Sequence, residues 1–464
     1  MKLKFDRGSI EVLLYLTLIH NCSDPMKQIG AVMPSAMLVT LGYTVMKICN
    51  WRINCCAYRA ITSFILGIAL VMVSFHATAE VDEVELGKPA GYPKCKYFYE
   101  YTSNQKCRVH SFSNPVGLKV QASVNKRRLK TIEVAPPQAK PGGEWDKYFA
   151  SQRATSMMVL KNGQIIYENY QYDRNSRSSF RSFSMAKTIT GMLIGIALEK
   201  GHIKSLQNAA SDYVPEIKGT LWGDTKIESL LRMASGVKFS EASYGPNSDV
   251  ARWTKKAIIP KDKKAYARTV SSFNERAFPE GTHFNYASPE TSILAHVLRG
   301  ATGRSVTDLT KEWLWEPIGA QDDAHWAVAP SDGVELGDSA FYATLRDWGK
   351  IGVLLANDGK VGDTQVIPYD FLMRGTDPKL VPDAFKPGVA TPLFGYGYQT
   401  WLFPKTEKTF ALIGVYGQAI FVQPKSKLVF VQTSVFNRPN GDPAFRDMMG
   451  QWSKILHDLG GVAY

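Results

Sequence analysis

Ser184 and Lys187, in the run Phe183-Ser184-Met185-Ala186-Lys187-Thr188, are the two residues of this 464-residue chain whose types and spacing best suit chemistry. Three residues is about one helical turn, so on a helix both side chains project from one face. A serine hydroxyl is a poor nucleophile until a base takes its proton. A lysine becomes that base when burial or a neighbouring cation lowers its pKa toward neutrality. A helix start at Ser184 would also aim free backbone N–H groups at the negative oxygen that develops in acyl transfer. The bare S-x-x-K spacing is common, and a serine at a helix start also serves simply as a cap.

The surroundings add weight. A polar, arginine-rich loop at 175–182 gives way to an apolar run at 185–198 that ends at Glu199-Lys200-Gly201, with glycine at the C-terminal cap position. A helix apolar almost all round is buried, and Gly191 and Gly195 would let a neighbour approach it closely. Upstream, 156–160 and 164–169 read as strands joined by Lys161-Asn162-Gly163, a hairpin signal. Downstream, helices are expected at 208–213, 227–234, 291–299 (stopping at Gly300), 307–315 and 342–357. Strands are expected at 397–403, 409–415, 419–423 and 428–433, and a terminal helix at 445–459. Strands at both ends around a helical middle imply an α+β domain: an antiparallel sheet flanked by helices, with a mostly helical domain inserted.

The remainder of the chain sets the context. A composition of 45% apolar and 21% charged residues is globular. The net charge of +13 is dispersed, and its densest cluster, around Lys126-Arg127-Arg128, lacks interleaved aromatics, so no nucleic-acid partner is expected. Residues 1–79 read as a leader. Lys47, Arg52 and Arg59 precede an apolar core at 61–75, and Ala77-Thr78-Ala79 supplies small residues for cleavage. Met46 opens a leader of ordinary proportions and is an alternative start. The expectation is export to the periplasm or outside the cell. An uncleaved leader acting as a membrane anchor is the alternative, and the only membrane contact expected. Residues 80–143 form an accessory segment in which Cys95 and Cys107 are spaced for one disulfide, contributing on the order of 3 kcal/mol. A proline-rich stretch at 135–143 then leads into the main domain, 144–464, with an α/β part at about 144–215 and 330–464 and a helical part at about 216–329. The histidines show no zinc-type spacing, and no metal or cofactor is expected.

Three motifs follow in order: Ser184-x-x-Lys187, Tyr286-Ala287-Ser288, and Tyr416-Gly417-Gln418 between two strands. Order and context resemble the serine β-lactamase and penicillin-binding-protein superfamily. Within it, they are most similar to class C β-lactamase-like esterases and 6-aminohexanoate-dimer hydrolases. The resemblance extends from about Glu144 to Gly450 and implies a β-lactamase-like fold. It further implies that Ser184 is acylated, that Lys187 helps remove its proton, and that Tyr286 acts as general acid and base. A tyrosine suits that task only if a cation stabilises its phenolate, and Lys187 is the expected partner. The backbone N–H groups of Ser184 and Gln418 would form the oxyanion hole. Ser288, Tyr416, Gly417 and His283 are pocket candidates.

Two departures bear on substrate. Val415-Tyr416-Gly417 stands where lactamases carry a cation for the substrate carboxylate, and Ser288 stands where they usually have asparagine. Both favour a small ester or amide over a β-lactam. Plain structural roles remain open: Tyr286 as a core aromatic, Ser288 as a helix cap. The reading is therefore a serine hydrolase working through an acyl-enzyme. The alternatives are a β-lactamase or D-alanyl-D-alanine peptidase, or a non-catalytic ligand sensor or tethered binding protein, which the intact Ser184, Lys187 and Tyr286 set argues against.

Overall fold

The computed structural model describes residues 143–464 except 405 and 406, and the backbone of Glu100–Tyr101 and Gly117–Val120. The leader and the Cys95–Cys107 pair lie outside the described residues.

Two short strands come first, β1 (Glu100–Tyr101) and β2 (Gly117–Val120), followed by helix α1 (Glu144–Ser151) and the hairpin β3 (Ala154–Lys161) and β4 (Gln164–Tyr170). Asn162 and Gly163 turn that hairpin with φ of 51° and 77°, the left-handed pair that Asn-Gly tolerates best. Next are β5 (Ser179–Arg181), a single 3-10 turn (Phe183–Met185) and helix α2 (Ala186–Glu199). The middle of the chain is helical: α3 (Ile227–Leu231), α4 (Asp249–Trp253), α5 (Ala265–Ser271), α6 (Ser288–Thr302) and α7 (Val306–Thr310). Strands β6 (Ala324–Ala327) and β7 (Phe341–Thr344), helix α8 (Leu345–Ala356), the small hairpin β8 (Lys360–Val361) and β9 (Thr364–Gln365), and helix α9 (Tyr369–Thr376) lead back. The chain closes with β10 (Gly395–Tyr396), β11 (Trp401–Leu402), β12 (Phe410–Gly414), β13 (Gln418–Gln423), β14 (Leu428–Ser434) and helix α10 (Pro443–Asp458).

The main sheet is antiparallel with strand order β10-β11-β12-β13-β14-β3-β4, so both halves of the chain build it. Side chains alternate between its faces. Ile420, Val422, Val429, Val431, Met158 and Leu160 face the core shared with α2 and α8. Ala419, Phe421, Phe430, Met157 and Val159 face a second core made with α1 and α10, around Trp452 and Ile455. Coverage on both faces explains why these strands read as apolar runs. Each large side chain so buried contributes about 1.5–3 kcal/mol. A second sheet, ordered β1-β5-β7-β6-β2, takes its outer strands from the 80–143 segment.

Helix α2 runs through the first core with every residue from Ala186 to Ala197 buried. A Cβ on Gly195 would stand 2.4 Å from the Phe371 ring, so glycine is what lets α9 pack there.

The helix expected at 208–213 is only a 3-10 turn, Ala210–Asp212, and three other expected elements differ. The single helix expected at 342–357 is strand β7 followed by α8, because the Thr344 hydroxyl accepts the Asp347 N–H and starts the helix there. The strand expected at 397–403 is broken between β10 and β11, where Gln399 turns with φ 56° and a Cβ on Gly397 would meet the Gly375 carbonyl at 1.8 Å. Helix α6 runs past Gly300 to Thr302. Gly300 is there because its Cα lies against the Tyr213 carbonyl, and Gly303, with φ 68°, is the true cap.

Candidate active site

The site begins at a strained elbow. The Ser182 N–H donates to Phe341 O at 2.7 Å and the Phe341 N–H returns to Ser182 Oγ at 3.1 Å, pinning the chain to β7. Phe183 then adopts φ 44°, unusual for a bulky residue and costing on the order of 1–3 kcal/mol. Its ring is held between the Arg181 guanidinium at 4.5 Å and Tyr416 at 5.6 Å. This turn presents Ser184 at the entrance to α2.

Lys187 follows one turn later and is 1% exposed. Its Nζ lies 3.1 Å from Ser184 Oγ, 2.9 Å from Ser288 Oγ and 2.8 Å from Asp338 O. Burial pushes its pKa below the ordinary lysine value, against the opposing pull of Asp338 and Glu241.

The segment entering α6 delivers Tyr286 to the same point, and the first residue of that helix delivers Ser288. Tyr286 stacks on Trp401 with centroids 5.4 Å apart and meets Tyr396 edge-on. It hydrogen-bonds Ser184, yet burial first and the Glu241 charge second raise its pKa well above 10. Lys187 Nζ sits 5.1 Å from the centroid of its ring. The expected phenolate is therefore not favoured: Tyr286 is held as a phenol. Ser288 is the first residue of α6 but caps nothing with its side chain, and the hydroxyl serves Lys187 instead.

The opposite wall is the end of β12. Ile413, Gly414 and Val415 line the cavity, of about 390 Å³, into which Ser184 and Tyr286 open. A Cβ on Gly414 would lie 2.5 Å from Ser182 O, so this strand end rests directly on the elbow. The turn residues assigned from sequence lie beyond that wall. Gln418 is fully buried with its amide bonded to Ser434, Tyr416 and Val415 carbonyls, which braces the turn and does not line the Ser184 cavity. Gly417 lines a neighbouring cavity beside Phe436, and Tyr416 supports the Phe183 ring. His283 is exposed, bonded to Thr282 and stacked on Phe278. Gln418, Gly417, Tyr416 and His283 are thus outside the cavity.

The sequence did not single out Glu241, Tyr244, Trp401 and Asn440, which line the cavity, or Asp338, whose carbonyl holds Lys187. Glu241 Oε1 accepts the Ser288 N–H, and burial raises its pKa. It comes from an irregular loop with no periodicity to mark it. Val415 follows directly on a glycine pressed against the elbow that presents Ser184, a relationship that only the folded chain exhibits.

A serine and a buried lysine in contact, with a phenol beside them, can perform acyl transfer. Residues 127–449 match the model of the Beta-lactamase family, and the chain belongs to that family of serine hydrolases. It is 24% identical over 316 residues, 66% of this chain and 77% of the relative, to the 6-aminohexanoate-dimer hydrolase of Paenarthrobacter ureafaciens. Among solved structures, a Bacillus anthracis protein provisionally described as a 6-aminohexanoate-dimer hydrolase superposes with a TM-score of 0.63 at 23% identity. That match covers 75% of this chain and 92% of the other. A Bacteroides dorei protein provisionally described as a β-lactamase gives 0.51 at 16% identity, covering 66% and 96%. The fold is accordingly β-lactamase-like, an antiparallel sheet flanked by helices.

Proposed function

We propose that the protein is an exported hydrolase that cleaves a small ester or amide through an acyl-enzyme on Ser184. The observation that carries this reading is the Ser184 Oγ–Lys187 Nζ distance of 3.1 Å, with the lysine's other contacts being Ser288 Oγ and Asp338 O. A neutral amine has two N–H bonds and one lone pair. The Asp338 carbonyl can only accept, so it takes one N–H; Ser288 Oγ takes the other. The lone pair is left facing the Ser184 hydroxyl, which is the geometry of a general base.

In the proposed reaction Lys187 takes the serine proton as Oγ attacks the carbonyl carbon. The oxyanion meets the backbone N–H groups of Ser184 and of Val415, at the end of the cavity wall, in place of Gln418. Tyr286, kept protonated, donates to the departing oxygen or nitrogen. In the second half Lys187, neutral once the serine proton has been passed on, deprotonates water, and the ammonium so formed hands that proton to the Tyr286 phenolate. No step calls on a metal or a cofactor.

The substrate side rests on the wall of Ile413, Gly414 and Val415, which offers no cation for a carboxylate where lactamases place one. The named activity of the Paenarthrobacter relative supports a linear amide as one candidate. The test compares p-nitrophenyl esters, 6-aminohexanoate dimer and a chromogenic cephalosporin. Ester or amide turnover well above cephalosporin turnover is expected; fast cephalosporin turnover would favour the lactamase alternative. N-terminal sequencing of the mature protein checks export, with a start near Glu80 expected.

A further inference from the structure

Glu241 is a half-buried carboxylate in the cavity lining that the acyl-transfer scheme leaves without a task. Its Oε1 accepts the Ser288 N–H at the start of α6, and its carboxyl also bonds the Ser288 hydroxyl. The residue before Ser288, Ala287, has no capping side chain, so Glu241 caps the helix from another loop. Capping needs only an acceptor, and a neutral side chain would supply one at lower desolvation cost. The groups that face Glu241 are Lys187 from α2, Asp338 from the loop before β7, Tyr286 from the segment leading into α6, Ser288 at the start of α6, and Tyr244 from its own loop. Of these, Ser288 links it to the lysine: Ser288 Oγ is 2.9 Å from Lys187 Nζ.

We infer that Glu241 is the far end of a proton path running from Ser184 Oγ through Lys187 Nζ and Ser288 Oγ, and that it stores the nucleophile's proton while the acyl-enzyme exists. This inference rests on the acyl-transfer reading above. The Ser184 proton passes to neutral Lys187 as the Oγ–carbon bond forms. The resulting ammonium gives a proton to Ser288 Oγ, whose own hydroxyl proton moves to the Glu241 carboxylate. Lys187 is then neutral again and able to deprotonate the water that attacks the acyl-enzyme. The ammonium formed from that water's proton reprotonates the Tyr286 phenolate left by the leaving-group step, and the proton held on Glu241 then returns through Ser288 and the neutral Lys187 to Ser184 Oγ as that bond breaks. Burial raises the proton affinity of Glu241, which suits a group that must hold a proton for part of each turnover. Asp338 cannot take this part through the contact observed, because its backbone carbonyl, not its carboxyl, meets Lys187.

Glu241→Gln separates the two roles, since the amide oxygen can still accept the Ser288 N–H but cannot hold the proton. With a p-nitrophenyl ester, the expected result is a deacylation rate at least tenfold lower and acyl adduct on Ser184 at steady state, read by intact-protein mass spectrometry. Glu241→Asp is expected to recover part of the rate. Unchanged turnover and adduct occupancy in Glu241→Gln would overturn the inference. So would a lower rate accompanied only by a lower Tm with no adduct, which is the signature of a lost cap. If wild-type Ser184 takes no fluorophosphonate label, the acyl-transfer reading fails, and the inference with it.

Discussion

Lys187 Nζ lies 2.8 Å from the carbonyl oxygen of Asp338, and that contact decides where the lysine's lone pair points. A carbonyl can only accept, so the amine must donate to it, and the remaining valences divide between Ser288 and Ser184. The site is organised by this backbone oxygen as much as by the side chains around it.

Lys187→Arg is the sharpest probe of the base. A guanidinium is never deprotonated under ordinary conditions, so acylation should fall by about 10²–10⁴-fold. In wild type, activity requires the neutral amine, so it should be lost as pH falls through the lowered pKa of Lys187 and persist above it. A kcat/KM profile in pH checks the sign: the limb attributed to Lys187 must lie on the acid side and below the ordinary lysine value.

Tyr286→Phe keeps the ring against Trp401 and Tyr396 and removes only the hydroxyl. A drop of about 10²-fold in kcat is expected with Tm nearly unchanged. Amides should suffer more than p-nitrophenyl esters, whose leaving group departs without a proton.

Gly414→Ala would place a methyl group 2.5 Å from Ser182 O, and backbone cannot move aside cheaply. A loss of about 1–3 kcal/mol is expected, with a fall in kcat/KM because the wall carrying Val415 shifts. Gly450→Ala in α10 is the contrast. Nothing lies within 4 Å of its Cβ position, so thermal melts should read a gain of about 0.5–1 kcal/mol.

Glu290 predicts how stability depends on pH. It is fully buried, accepts the Ser235 hydroxyl at 2.6 Å, and burial raises its pKa to about 8. The folded state therefore binds the proton more tightly than the unfolded chain. That advantage is complete below the unfolded value near 4.5 and is lost as pH rises through about 8, on the order of 5 kcal/mol in all. Tm measured across this window should fall, and Glu290→Gln should flatten the slope whatever its absolute Tm.

The contact of Ser184 with Lys187 was legible because its signal is local: a loop, a three-residue spacing and a helix too apolar to be anything but buried. The sheet was legible for the same reason, since alternate side chains of β13 and β14 enter two cores and leave an unbroken apolar run. The cavity wall was displaced by three residues. Gly414 and Gly417 look alike in sequence, but one is glycine for the elbow at Ser182 and the other, with φ 86°, for the Phe436 ring. Only tertiary packing distinguishes them. Glu241 left no trace because an irregular loop carries it to Ser288 across 47 positions of sequence. Tyr286 was found, but burial and a carboxylate with no sequence signal, Glu241, push its pKa up, against the phenolate that the sequence reading required.

The central claim is that Ser184 is the nucleophile. Wild-type protein treated with a fluorophosphonate should gain one adduct by mass, mapped to the peptide holding Ser184, and Ser184→Ala should gain none. An adduct that persists in Ser184→Ala, or no adduct on folded wild type that turns over an ester, would contradict the account.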